Sequence, residues 1–422
     1  MRRLGLTLFT SIALLLASAQ TASAALPHPE VDKANARMQP TVGVPPAVVS
    51  VKHCFGEDVG SRYTTYTMRW DDRETDVTPG STDYDLTGNL TMSGRITIND
   101  GTKRGVLTGT ATLISTPSGA PGTKQYSGPI TMVVQEEPVP GGTGQTLWVA
   151  RGLLNANAYV TPAGSTTPVL DGKLIANVEM QFTSGGVSPF DYVVARFGDS
   201  TAPLNANEPL ADYASTFNQH VCGVAPSNPE VDIANASIDM PFTPSSSGFM
   251  TSDYCAGEDK PDIYTTYVMK WNAFEMESTP GSTDYDLTGD LTISAKITVN
   301  EATNRGIMIG TAKLVSTPSG GTGTKQYVGP ITIVVQEVTT PQGSVWVGRG
   351  MINAPTYLTP AGGTPTVDGK LFANMEIVFG TGPDSAFDYI EARFGNGPAL
   401  PFLAPVVPIA DYSVAFNGKH CI

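Results

Sequence analysis

Asp85-Leu-Thr-Gly-Asn-Leu-Thr-Met-Ser-Gly-Arg-Ile-Thr-Ile-Asn99 decides the fold, and the chain carries it twice. From Leu86 every even position is apolar or glycine (Leu86, Gly88, Leu90, Met92, Gly94, Ile96, Ile98), and every odd position is polar. A period of two held this long is a β-strand with one face in a core and the other in water. The second copy runs from Asp286 to Asn300 with Leu287, Gly289, Leu291, Ile293, Ala295, Ile297 and Val299 on the apolar side. The loop entering the strand, Thr78 to Gly88, is identical to Thr279 to Gly289.

Working outward, the duplication covers most of the chain. Pro29 to Ala36 returns at Pro229 to Ala236, Tyr63-Thr-Thr-Tyr66 at Tyr264 to Tyr267, and Trp70 at Trp271. Gly122 to Tyr126 returns at Gly323 to Tyr327, Val133 to Glu136 at Val334 to Glu337, and Ala195-Arg-Phe-Gly198 at Ala392 to Gly395. Two copies are too few for a solenoid. The reading is one domain duplicated, at 25–223 and 224–422, each with its own core and able to fold alone. Residues 1–24 have the form of a secretory signal: Arg2 and Arg3, an apolar run through Leu16, then Ala22-Ser-Ala24.

The first copy is expected to form strands near 62–70, 85–99, 104–115, 126–136, 146–159, 172–183 and 190–197. Asn99-Asp-Gly101 is the hairpin turn between the second and third. Leu210, Tyr213, Ala214 and Phe217 read as one short helix or a final strand. The fold class is all-β: two tandem antiparallel domains, each a barrel or strongly curved sandwich of about seven to eight strands, with the barrel preferred. At about 3.3 Å per residue the central strand would reach roughly 50 Å, so Gly88 or Gly94 is expected to bend or divide it.

Charge and cysteine usage bound the function. The formal charge is −14, and removal of Arg2 and Arg3 makes it −16. That argues against nucleic acid and anionic membranes as partners. No apolar run after the leader approaches the ~20 residues of a membrane helix. The expected location is secreted or periplasmic. Cys54, Cys222, Cys255 and Cys421 fall alike in the two copies, which favours Cys54–Cys222 and Cys255–Cys421 disulfides. His53, Cys54, His220 and Cys222 could make a zinc set, but Tyr254 replaces His53 in the second copy. No metal or cofactor is therefore expected. Asp83-Tyr-Asp85-Leu-Thr87-Gly88 begins like a calcium loop, and position twelve is Gly94 or Ala295 where a glutamate is needed.

Candidate chemistry is sparse. There is no Gly-x-Ser-x-Gly and no histidine at matching positions, so a duplicated Ser/His/Asp triad is not supported. Glu136, Asp171, Glu179 and Asp191 have acidic counterparts at Glu337, Asp368, Glu376 and Asp388, the raw material of a glycosidase pair. Arg151, Asn155, Asn177 and Glu179, with Arg349, Asn353, Asn374 and Glu376, form a repeated polar row and are the ligand-binding candidates. Leu174, Val178 and Met180 lie on the other face of their strand, which makes the row the wet face. Replacing Arg151 or Glu179 by Ala is then expected to cost under about 1 kcal/mol.

The reading is an exported, non-enzymatic extracellular binding or surface-structural protein whose ligand or surface is unknown. One rival is a lipocalin-like carrier of a small apolar ligand, suggested by the small residues Ala150, Gly152 and Ala156 on the inner side of a strand. The other is a secreted glycan-active enzyme using paired carboxylates.

Overall fold

The computed structural model describes residues 36–40, 48–55, 62–76, 87–115, 122–139, 144–197, 214–217, 236–239, 249–256, 263–277, 289–316, 323–341, 343–394 and 413–416. Residues 1–24, expected to be a secretory signal, the Asp83/Asp85 loop, Cys222, Cys421, His220 and the expected join at 223/224 lie outside them. Cys54 and Cys255 lie in described strands, but their side chains are outside the described atoms.

The first repeat contributes β1 (Ala36–Pro40), β2 (Val48–Phe55), β3 (Arg62–Asp76), β4 (Gly88–Asn99), β5 (Arg104–Ser115), β6 (Gly122–Pro138), β7 (Thr146–Pro162), β8 (Val169–Thr183), β9 (Tyr192–Phe197) and β10 (Ala214–Phe217). The second follows with β11 (Ala236–Asp239), β12 (Phe249–Ala256), β13 (Ile263–Glu277), β14 (Gly289–Asn300), β15 (Arg305–Ser316), β16 (Gly323–Thr340), β17 (Gly343–Pro360), β18 (Thr366–Gly380), β19 (Tyr389–Phe394) and β20 (Ser413–Phe416). The protein is all-β, as the alternating pattern requires.

Strands β3 to β9 pair with their sequence neighbours in an antiparallel meander. Short β1 then pairs with β9 on one side and with the second half of β3 on the other, which closes the hydrogen-bonded circuit. The second repeat closes in the same way through β11, between β19 and β13. Each circuit holds eight strands, a size whose interior side chains just fill. Strands β2 and β12 lie beside the first halves of β3 and β13.

The apolar positions of the quoted stretch point into the barrel. Leu90, Met92, Ile96 and Ile98 join Leu107, Leu113, Met132, Val178 and Met180 in one core, and the second repeat builds a separate core from the matching residues. Gly94 faces Gly109 across the β4–β5 ladder. A Cβ on Gly109 would sit 2.6 Å from the Gly94 Cα, so the two backbones approach more closely than side chains allow. The hairpin that follows is not a two-residue Asp-Gly turn, since four residues, 100–103, separate β4 from β5. Asn99 Oδ1 accepts the amides of Gly101 and Thr102 at 2.9 and 3.1 Å, and Lys103 takes φ +57°. Asn300 does the same for Ala302 and Thr303, without a glycine. The asparagine side chain, rather than the glycine, sets this turn.

One end of each barrel is stoppered by an aromatic cluster. Phe190 packs within 5.1–5.2 Å of Tyr66, Trp148 and Phe182, and its carbonyl accepts the Trp70 indole N–H at 2.9 Å. Phe387 and Trp271 repeat the arrangement. Asp191 holds the loop that presents Phe190. It accepts the amides of Gly185, Val187 and Ser188 and the Ser188 hydroxyl at 2.8–3.0 Å.

Two features join the repeats. Strands β6, β7 and β8 meet β18, β17 and β16 through their outer faces. The strand ending each repeat also crosses to the other: β10 pairs with residues 370–373 of β18, and β20 with residues 173–176 of β8. The segment around Ala214 is thus a strand and not a helix, and the sheet that it extends belongs to the second repeat.

Candidate functional site

The polar row lies on the outer faces of β6 to β9. Antiparallel register places Val133 opposite Arg151, Arg151 opposite Glu179, and Glu179 opposite Arg196, so the charges alternate across three strands. Arg151 Nε donates to Glu179 Oε2 at 2.8 Å, and its terminal nitrogens meet both oxygens of Glu137 in a bidentate pair. Arg196 Nε lies 3.3 Å from Glu179 Oε1. The second repeat has Arg349 Nε on Glu376 Oε2 at 2.8 Å and Arg393 Nε on Glu376 Oε1 at 2.9 Å.

The expectation that this row is wet is overturned. Arg151 is 2% exposed, Glu179 1%, Arg349 0% and Glu376 1%. Outer-face neighbours are buried too: Val149, Leu153 and Ile175 in the first repeat, Val347, Met351 and Phe372 in the second. The cause is the packing of β6–β8 on β16–β18, which turns what one domain alone would leave wet into a covered interface. Burial opposes the charge on Arg151. Glu179 and Glu137 more than offset it, so the guanidinium holds its proton more firmly than a free arginine.

The asparagines of the row are not brought into one constellation. Asn155 stands opposite Ile175, and Asn177 opposite Leu153, so each lies one pair away from the other. Asn353 and Asn374 repeat that offset, opposite Phe372 and Met351. The amide oxygens of Asn155 and Asn353 are buried without a hydrogen-bond partner among the described residues. Sequence reading missed Arg196, Arg393 and Glu137. The first two lay in the repeated Ala-Arg-Phe-Gly motif, whose spacing from Glu179 carries no hint of cross-strand contact. Glu137 has no acidic counterpart, since Val338 stands there.

Among the described residues, the other duplicated carboxylates do not gather with Glu179 into one cleft. Asp191 is consumed by its loop amides, which hold its carboxyl below the usual range against the opposing effect of burial. Asp171 pairs with Lys124 at 3.5 Å, and Glu136 accepts from the Thr146 hydroxyl at 2.5 Å. No cluster of three or more metal-ligating side chains occurs among the described residues. His53 Nδ1 lies 3.0 Å from the Thr64 hydroxyl. The barrel interior of the first repeat keeps a cavity of about 30 Å³ lined by Leu90, Met92, Leu113, Ile130 and their neighbours. That is room for about one water molecule, in walls too apolar to hold it.

Fold and polar face define a class: a tandem pair of filled eight-stranded barrels that share a buried ionic face. No family model, curated protein or solved structure matches the chain.

Proposed function

We propose that this is an exported, non-enzymatic protein whose two barrels, stapled by Cys54–Cys222 and Cys255–Cys421 disulfides, act as a rigid surface-structural or binding unit outside the cell. The observation that carries the reading is the fate of the repeated polar row. The residues best suited to chemistry or to ligand binding are Arg151, Glu179, Arg349 and Glu376, and they are ion-paired within the covered faces. The filled interior weighs against a carrier, and the scattered carboxylates weigh against a glycosidase. No helix among the described residues is long and apolar enough to cross a membrane. Asn89, Ser93, Arg95, Thr108 and Thr110 stand exposed on the outside of β4 and β5, where a membrane barrel needs an apolar band.

The experiment is to recover the protein from the medium or envelope of a secreting host and record its native mass and thiol state. The mature chain should appear with two disulfides and no lipid retained. A stoichiometric long-chain apolar molecule would establish the carrier instead. Release of reducing sugar from polysaccharides, lost on Glu179→Gln without loss of fold, would establish the enzyme.

A further inference from the structure

The two repeats differ where their polar faces end. In the first, Glu137 closes both terminal nitrogens of Arg151. In the second, Val338 occupies the Glu137 position, and Nη1 and Nη2 of Arg349 are buried with no hydrogen-bond partner among the described residues. Arg151 and Arg349 hold their facing glutamates through the same atoms at the same 2.8 Å, so the two guanidinium groups are set alike. The orphaned edge of Arg349 therefore faces the place where Glu137 puts its carboxylate, beside Val338. A buried donor pair left open is costly, and native structures seldom leave one without a purpose.

A cavity of about 210 Å³ lies near that place, lined by neither Arg349 nor Val338 but by Val345, the cross-strand partner of Val338. Val345 and Val378 line it, and the same two valines pack with Val338 and Val347 in a small apolar cluster. Trp346, Phe379, Tyr389 and Ile390 form the rest of its apolar wall, with Ser344, Thr381 and Glu391 as its polar side chains. The first repeat has Gln181 and Thr183 where Val378 and Gly380 trim this wall. Changes between otherwise similar repeats thus fall together, some opening a pocket and one removing the internal partner of the arginine beside it.

We propose that this pocket of the second repeat binds a small carboxylic acid with an aromatic or branched apolar body, its carboxylate taking on Arg349 the place that Glu137 takes on Arg151. The site goes beyond the structural role proposed above and does not depend on it. A planar guanidinium edge matches a carboxylate with two parallel hydrogen bonds, which a lone chloride or hydroxyl does not reproduce. The volume lies under the ~300–1,000 Å³ of drug-sized sites, so the occupant is a fragment such as phenylacetate and not a lipid. Glu391 on the same pocket would favour an amine, which makes the amine the informative control.

The test is thermal unfolding of the full-length protein with phenylacetate, phenylacetamide or phenethylamine at millimolar concentration. Phenylacetate should raise the melting temperature saturably, and the neutral amide and the amine should not. Val338→Glu supplies the partner found in the first repeat. It should raise the melting temperature of the unliganded protein and weaken phenylacetate at least about tenfold. Gly380→Thr, the residue of the first repeat, should obstruct the pocket without touching the arginine and serves if Val338→Glu does not fold. Equal protection by the amide or the amine, protection undiminished in both variants, or no protection by phenylacetate would each overturn the proposal.

Discussion

Glu179→Gln is the sharpest perturbation that the structure offers. Glu179 is 1% exposed and sits between Arg151 at 2.8 Å and Arg196 at 3.3 Å, both of them buried. The amide keeps the shape and removes the charge, so two arginines lose their shared counterion in a region closed to water. Removing one partner of a buried pair costs about 3–5 kcal/mol, most of it the penalty on the charge left behind. With about 2–4 °C per kcal/mol for a unit of 150–250 residues, the melting temperature should fall by roughly 6–20 °C. Urea titration followed by tryptophan fluorescence measures the free energy directly, and Trp70 and Trp148 report from the first barrel. Arg151→Met combined with Glu179→Met should recover part of the loss, because a buried pair can be replaced by apolar packing more cheaply than it can be broken. A cost under about 1 kcal/mol for Glu179→Gln is the value of an exposed pair. That result would mean that water reaches the row and that the outer faces do not close on one another.

Three further outcomes follow from single contacts. Trp70→Phe keeps the ring in the core but leaves the Phe190 carbonyl without its 2.9 Å donor, and should cost about 1–3 kcal/mol in urea titration. Asp191→Asn should remove a pH dependence. The Asp191 carboxyl is depressed below its ordinary 3.8, so its contribution is present above that value and is lost as pH falls through the folded-state value. The stability gap between wild type and Asp191→Asn, read by urea titration, should therefore hold at neutral pH and shrink below about pH 4. Gly109→Ala drives a Cβ into the Gly94 backbone and should destabilise the β4–β5 ladder, seen as lost amide protection in those strands.

The strands were legible because their alternation is long and clean. The expected 104–115 is β5 itself, and 146–159 and 172–183 fall short of β7 and β8 by three residues at one end. What stayed hidden was whatever depends on a second surface. Strands β1 and β11 are too short to show a period, although they close the barrels. Alternation also assigns the Arg151 face to solvent, because it reports one sheet at a time. A face with Val133, Val149, Leu153 and Ile175 among its charges carries more apolar residues than a wet strand needs, and that was the available signal. The crossing of β10 and β20 leaves no mark in sequence, since Ala214 to Phe217 and Ser413 to Phe416 resemble each other and fit either slot.

That crossing, with the packed outer faces, should couple the two cores, where the sequence alone expects each half to fold on its own. Hydrogen exchange on full-length Glu179→Gln, read by mass spectrometry at native conditions, tests this most directly. The substitution lies wholly in the first repeat. If the repeats are coupled, amide protection should fall in β16, β17 and β18 as well as in β6, β7 and β8. Loss confined to the first repeat, with the second unchanged from wild type, would contradict the account and return the protein to two independent barrels.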